Sequence, residues 1–96
     1  MIIRIVKMTF LPEKTGEFEE IFRSSGPKIR EFPGCHGVEL LKDLNNPSIY
    51  MTFSTWDEAE SLEKYRQSRL FKDTWQKTKV LFSAPAEAWS LDKLLI

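Results

Sequence analysis

The feature that most constrains this chain is a pair of short runs around the hexapeptide DLNNPS. His36 to Lys42 (HGVELLK) and Ser48 to Thr55 (SIYMTFST) are rich in β-branched, aromatic and aliphatic residues. The segment between them is turn-forming throughout, so the two runs are expected to pair as an antiparallel hairpin. A β-hairpin in the middle of the chain leaves the flanking segments to supply whatever covers it.

Those flanks read as strand and helix. Ile2 to Phe10 is apolar and β-branched, interrupted by Arg4 and Lys7, and reads as a first strand. Pro12 and Glu13 suit the first turn of a helix. Phe18, Phe22, Ser25, Ile29 and Phe32 then recur in alternating steps of four and three, which places them on one helical face. Gly26-Pro27 falls inside that pattern and is expected to kink or break the helix. The Pro-Gly of FPGC ends the helical region. After the hairpin, Thr55-Trp56-Asp57-Glu58 fits a capping box, which makes Trp56 the first residue of a second helix. Ser68 can cap a further helical segment carrying Phe71, Trp75, Thr78 and Phe82, with Pro85 as its terminator. Ala86 to Leu91 is the expected last strand.

The resulting order, β-α-β-β-α-β with a split second helical part, is the ferredoxin-like α+β arrangement: an antiparallel sheet with helices on one face. The 96 residues fit one such domain, 1–96, with no repeat or linker. Such a sheet should be apolar on one face only. Ile3 and Ile5 nevertheless point away from Ile2, Val6, Met8 and Phe10, and Ile49, Met51 and Phe53 point away from Tyr50 and Trp56. One helical layer covers one face, so the other is expected to meet the sheet of an identical chain in a homodimer.

Charge narrows the partners. Fourteen basic and fourteen acidic side chains give a formal net charge of zero, with no basic block. This argues against a nucleic-acid footprint and against a polybasic membrane patch. The opening MIIRIVKMTF is too short and too charged for a signal or membrane segment. A single cysteine, Cys35, allows no intrachain disulfide and suits a reducing, cytoplasmic setting. It stands beside the only histidine, His36, and the pair lacks the further ligands of a zinc site. No phosphate loop, dinucleotide fingerprint, nucleophile elbow or H-E-x-x-H motif is present.

Four stretches, in order and spanning nearly the whole chain, carry a resemblance: KMTFLPEKTGEFEEIF, FPGCHGVELLKD, NPSIYMTFSTWDE and YRQSRLFKDTW. Together they resemble the antibiotic biosynthesis monooxygenase domain, a family of ferredoxin-like protomers that form dimeric α/β barrels. The resemblance implies a pocket between helices and sheet. It also implies oxidation of a small aromatic, polyphenol or quinol by dioxygen, with no flavin, metal or other cofactor. The substrate would be deprotonated and held beside oxygen in a dry cavity. A non-catalytic, ligand-binding or stress-related dimer is the alternative. Haem binding or degradation is disfavoured, because the positions that carry histidine and asparagine in that branch match Trp75 and Val6 here.

The same resemblance supplies site candidates. Trp56 matches the tryptophan that ends the third strand and borders the pocket; by its residue type alone it can equally be a corner plug. Trp75 and Phe71 form an i, i+4 pair, read first as core and second as pocket wall. With Tyr50 and Val6 they complete the expected substrate-binding set. Trp56 and His36 are the catalytic candidates, His36 because it alone titrates near neutrality, although a surface or structural histidine is its plainer reading. Glu39 points away from Val38 and Leu40. Arg4 is expected to pair with it or to bind a substrate oxyanion.

Overall fold

The computed structural model describes Met1–Ile96. Its elements run β1 (Ile2–Phe10), a single 3-10 turn (Pro12–Lys14), α1 (Thr15–Arg30), β2 (Cys35–Lys42), β3 (Ile49–Trp56), α2 (Ala59–Arg66), α3 (Arg69–Lys79) and β4 (Phe82–Asp92). The hairpin forms as expected, with β2 antiparallel to β3 from Gly37 opposite Thr55 to Lys42 opposite Tyr50. The four strands lie in the order β2-β3-β1-β4, all antiparallel. This is the ferredoxin-like fold, with three helices on one face.

Four local expectations need correction. The helix is not broken at Gly26-Pro27: α1 runs unbroken through both residues. Pro27 lies exposed in the last turn, so one backbone N–H is lost while Phe18, Ser25 and Ile29 stay buried against the sheet. Trp56 does not open a helix. It is the last residue of β3, opposite Ile2 on one side and Cys35 on the other, and these ladders outcompete the local capping signal. Helix α2 starts three residues later behind Glu58, which makes no side-chain cap. Pro85 does not terminate α3, which ends at Lys79; it sits inside β4, so the last strand starts at Phe82 rather than Ala86. β4 is an edge strand with a register shift between Lys7–Glu87 and Thr9–Ala84, and a bulge at a sheet edge tolerates a residue without an N–H. The Ser68 cap does form: its Oγ accepts from the Phe71 backbone N–H at 3.1 Å.

The turn before β2 depends on one glycine. Gly34 has φ +87°, and a Cβ there would lie 2.5 Å from Ser61 on α2. Only glycine allows this backbone and this close approach. The Gly34 carbonyl also accepts from the Asp57 N–H at 2.8 Å, which ties the turn to the end of β3.

The helix-facing side of the sheet holds two separate cores. Met8, Phe10, Phe18, Tyr50 and Leu81 form one; Ile29, Val38, Trp56 and Leu62 form the other. In the first, the rings of Phe10 and Phe18 stack at 4.3 Å and Tyr50 meets both edge-on. The opposite face of the sheet carries Ile3, Ile5, Met51, Phe53, Trp89 and Leu91, none of which belongs to either core.

Candidate functional site

Between the two cores the helices stand off from the sheet, leaving a cavity of about 350 Å³. Its size suits a small organic ligand. The room comes from β4. Along AEAWSL the side chains alternate, and the small ones, Ala86 and Ala88, face the helices while Trp89 and Leu91 face outward. The alternation is visible in the sequence, but its meaning depends on which face the helices cover. Filling this space is a direct test. Ala86→Leu should keep the fold and reduce affinity for an aromatic ligand by at least tenfold, because three added carbons occupy the ligand's volume. Titration calorimetry on the folded variant measures this, and unchanged affinity would place the ligand elsewhere.

One wall of the cavity is a continuous series of rings. Trp56 stacks on Tyr65 at 5.0 Å, Tyr65 meets Phe71 edge-on at 5.3 Å, and Phe71 stacks on Trp75 at 5.8 Å with planes 10° apart. The i, i+4 spacing on α3 makes the last contact, and the short α2–α3 connection brings Tyr65 against it. Val6, on β1, faces these rings across the cavity. The structure therefore brings Trp56, Trp75, Phe71 and Val6 to one cavity.

Trp56 has no free polar atom. It is 0% exposed, and its Nε1–H donates to Ser54 Oγ at 2.9 Å. It borders the cavity and plugs the corner at the same time. Tyr50 is not among the lining residues; its ring fills the first core and its hydroxyl donates to Glu19. His36 also lies outside the cavity, exposed and hydrogen-bonded to Asp57. Glu39 sits on the open face opposite Phe53, so it can neither line the cavity nor pair with Arg4, which points to the helix side. Cys35 is half-buried, and burial raises its thiol pKa, the reverse of what a nucleophile needs.

The ionisable groups that do line the cavity are Arg4, Arg66 and Tyr65, with no carboxylate, histidine or lysine among them. Burial, with the Cys35 charge second, pushes the Tyr65 phenol well up, so it is a protonated donor at neutral pH. Arg4 Nη1 donates to Ser90 Oγ at 2.9 Å and has no carboxylate in salt-bridge contact, whereas Arg66 pairs with Glu63 at 3.4 Å. Arg66 and Tyr65 carry no site signal in the sequence. Both lie on a helix whose apolar side, Ala59, Leu62 and Tyr65, reads as plain core. No group of three or more His, Cys, Asp or Glu side chains comes together in a way that could hold a metal ion.

Solved structures share this architecture across their whole length. An antibiotic biosynthesis monooxygenase superposes with a TM-score of 0.92 at 17% identity, covering 99% of this chain and 100% of its own. A conserved protein from Methanosarcina mazei gives 0.91 at 25% identity, covering 98% and 94%. A protein from Mycobacterium tuberculosis gives 0.90 at 15% identity, covering 99% and 96%. No curated protein matches. The likenesses at 17% and 15% identity speak for the fold alone, but the family model described as antibiotic biosynthesis monooxygenase matches residues 1–77, from β1 to near the end of the ring-bearing α3. A sheet, a helical layer and an aromatic-walled gap between them thus come with a sequence pattern over most of the chain, and the protein belongs to the antibiotic biosynthesis monooxygenase family.

Proposed function

We propose that the cavity binds a small, flat, electron-rich aromatic or quinol and that the protein is a monooxygenase acting on it with dioxygen and no added cofactor. The observation that carries this is the cavity itself: about 350 Å³, walled by the Trp56–Tyr65–Phe71–Trp75 rings, in a chain of this family. Stacked rings select a flat ligand, and apolar walls keep water from a reactive carbanion. For a ring CH2 the chemistry balances as CH2 plus O2 giving C=O plus H2O. The substrate supplies four electrons; one oxygen atom enters the product and the other leaves as water. The chain's part is to orient the ring, exclude water and stabilise the substrate anion.

Oxygen uptake with a panel of quinols and polyphenols, chelators present, tests the reading. Consumption dependent on protein and substrate supports it, with a loss of at least tenfold in Ala86→Leu. A second reading, a ligand-binding domain without catalysis, is favoured by the lack of any proton-accepting side chain in the cavity. Binding without oxygen uptake across the panel would decide for it.

A homodimer forms part of the proposal. The apolar side chains on the sheet face opposite the helices have no partner within the chain, and a second copy brings an identical, self-complementary face. No helix is long and apolar enough to cross a membrane.

A further inference from the structure

Ser25 interrupts an otherwise apolar stripe. Phe18, Phe22, Ile29 and Phe32 share its helical spacing, and it is the one polar member. Three polar side chains are buried in this protein, Ser25, Ser54 and Thr78. Two of them are satisfied internally: Ser54 Oγ accepts from Trp56 Nε1–H at 2.9 Å, and Thr78 Oγ1 donates to the Thr74 carbonyl at 2.7 Å. Ser25 is 7% exposed, and its hydroxyl has no partner in the chain. No fully enclosed side-chain oxygen or nitrogen lacks a hydrogen bond, so the Ser25 hydroxyl opens on a space rather than on packed atoms. Two spaces meet there. Ser25, Ile21 and Thr74 border both the ring-walled cavity and a second hollow of about 440 Å³ between the exposed sides of α1 and α3. No other side chain is common to the two linings, so these three form the partition. The Thr74 hydroxyl, half-buried on α3, is likewise without a partner in the chain. The outer hollow is a polar groove in which Glu17, Glu20 and Asp73 meet Lys28 and Lys77. Glu17 and Glu20 are further paired with Lys14 at 3.9 Å and with Arg23. Charges of both signs largely cancel there, so the groove offers hydrogen-bond donors and acceptors without selecting an ion of either sign.

Resting on the proposed ligand cavity, we infer that its ligand has two parts: a flat ring inside the cavity, and an uncharged, hydroxyl-bearing arm that bonds Ser25 and Thr74 and leads between α1 and α3 into the groove. A packing role alone would be met as well by alanine, which fits the same space without a buried hydroxyl to satisfy. A hydroxyl on the ligand can both donate to and accept from Ser25 and Thr74, which an ion cannot do as well. An ammonium at the partition would be desolvated without a carboxylate beside it, because the cavity lining has none. The arm thus makes Ser25 and Thr74 specificity-determining residues, and it gives the groove a role as the place where the arm ends.

The test titrates naphthalene probes calorimetrically into the wild-type protein: 2-methoxynaphthalene, 2-(2-hydroxyethoxy)naphthalene, its ammonium analogue 2-(2-aminoethoxy)naphthalene, and the longer 2-[2-(2-hydroxyethoxy)ethoxy]naphthalene. The short hydroxyl arm should bind at least about fivefold more tightly than the methyl ether, as one buried hydrogen bond gained by the complex requires. The ammonium arm should bind more weakly than the hydroxyl arm, and the longer arm at least as tightly, since its end lies in the groove. Ser25→Ala should bring the hydroxyl preference below about twofold, and Thr74→Val should reduce it. The preference is a ratio measured within one protein, so a general change in the cavity cancels from it. Melting temperature should not fall in Ser25→Ala, because the lost hydroxyl has no partner in the free protein. Circular dichroism confirms that both variants fold, and the wild-type comparison stands without them. Equal affinity of the methyl ether and the hydroxyl arm for the wild type overturns the inference while leaving the cavity reading intact. So does a preference that survives both substitutions. Tighter binding of the ammonium overturns the uncharged arm, and weaker binding of the longer arm overturns its passage into the groove. Binding of none of the probes overturns the inference and the cavity reading together.

Discussion

Replacing Trp56 with alanine is expected to destabilise the protein by about 3–5 kcal/mol, and replacing it with phenylalanine by about 2 kcal/mol. The indole is fully buried, stacks on Tyr65, meets Phe32 edge-on at 6.4 Å and packs in one core with Ile29, Val38 and Leu62. Phenylalanine keeps one ring but leaves a void, and it strips Ser54 Oγ of its 2.9 Å donor in a buried setting. For a domain of this size, 2 kcal/mol corresponds to a fall in melting temperature of roughly 10 °C. Thermal unfolding at fixed protein concentration measures it; concentration must be fixed because the proposed dimer would add to apparent stability. Ligand affinity of folded Trp56→Phe should stay within about threefold of wild type, because the N–H it loses never faced the ligand. Trp75→Ala should lose more affinity and less stability, since that ring is half-exposed on the same wall. A Trp56→Phe protein that melts with the wild type but no longer binds would reverse this assignment and make the indole a ligand contact before anything else.

The second large effect concerns assembly. The wild type should sediment as two 11.3 kDa chains, and Ile5→Lys as one. Ile5 lies at the middle of the exposed face, between Phe53 on β3 and Trp89 on β4. Its neighbours on that face include Ile3, Met51 and Leu91, with Trp89 43% and Leu91 45% exposed in the single chain. Burying such a face removes apolar area worth about 25 cal/mol per Å². A lysine at its centre would have to be desolvated without a partner. Because Ile5 belongs to neither core, the protomer should keep its far-ultraviolet signal while losing its partner. Sedimentation equilibrium at micromolar concentration decides the matter, and a stable wild-type monomer would end the dimer proposal. The polar elements of this face, such as the Lys7–Glu87 pair at 3.6 Å, with Lys7 half-buried and Glu87 exposed in the single chain, contribute little by themselves.

The parts legible in the sequence were those that short-range patterns fix. Alternation with a turn-forming hexapeptide gives the hairpin, and steps of four and three give the buried face of α1. Ser68 was readable as a cap because a serine at that position bonds within its own turn. The misread positions are those where a distant strand competes with a local signal. Thr55-Trp56-Asp57-Glu58 has the residue types of a capping box, but Ile2 and Cys35 hold Trp56 in the sheet. Pro85 has the character of a helix stop, but β1 pairs with the chain on either side of it across a bulge.

By itself, then, the sequence determined the order of elements, the two-sided apolar character of the central strands and the supply of aromatic rings on the last helix. Each follows from residue periodicity along a few turns or a few strand positions, and periodicity is local. Only the tertiary structure decided that helices cover the Val38 and Leu40 side of β2, which sends Glu39 to the open face and His36 to a surface pair with Asp57. It alone decided that Ala86 and Ala88 face a gap, and that Arg4 and Arg66, 62 positions apart in the chain (66 − 4), share its rim. A cavity is a failure of two layers to close, so it is set by how far α2 and α3 stand from β1 and β4, a distance that no stretch of residues encodes without the others.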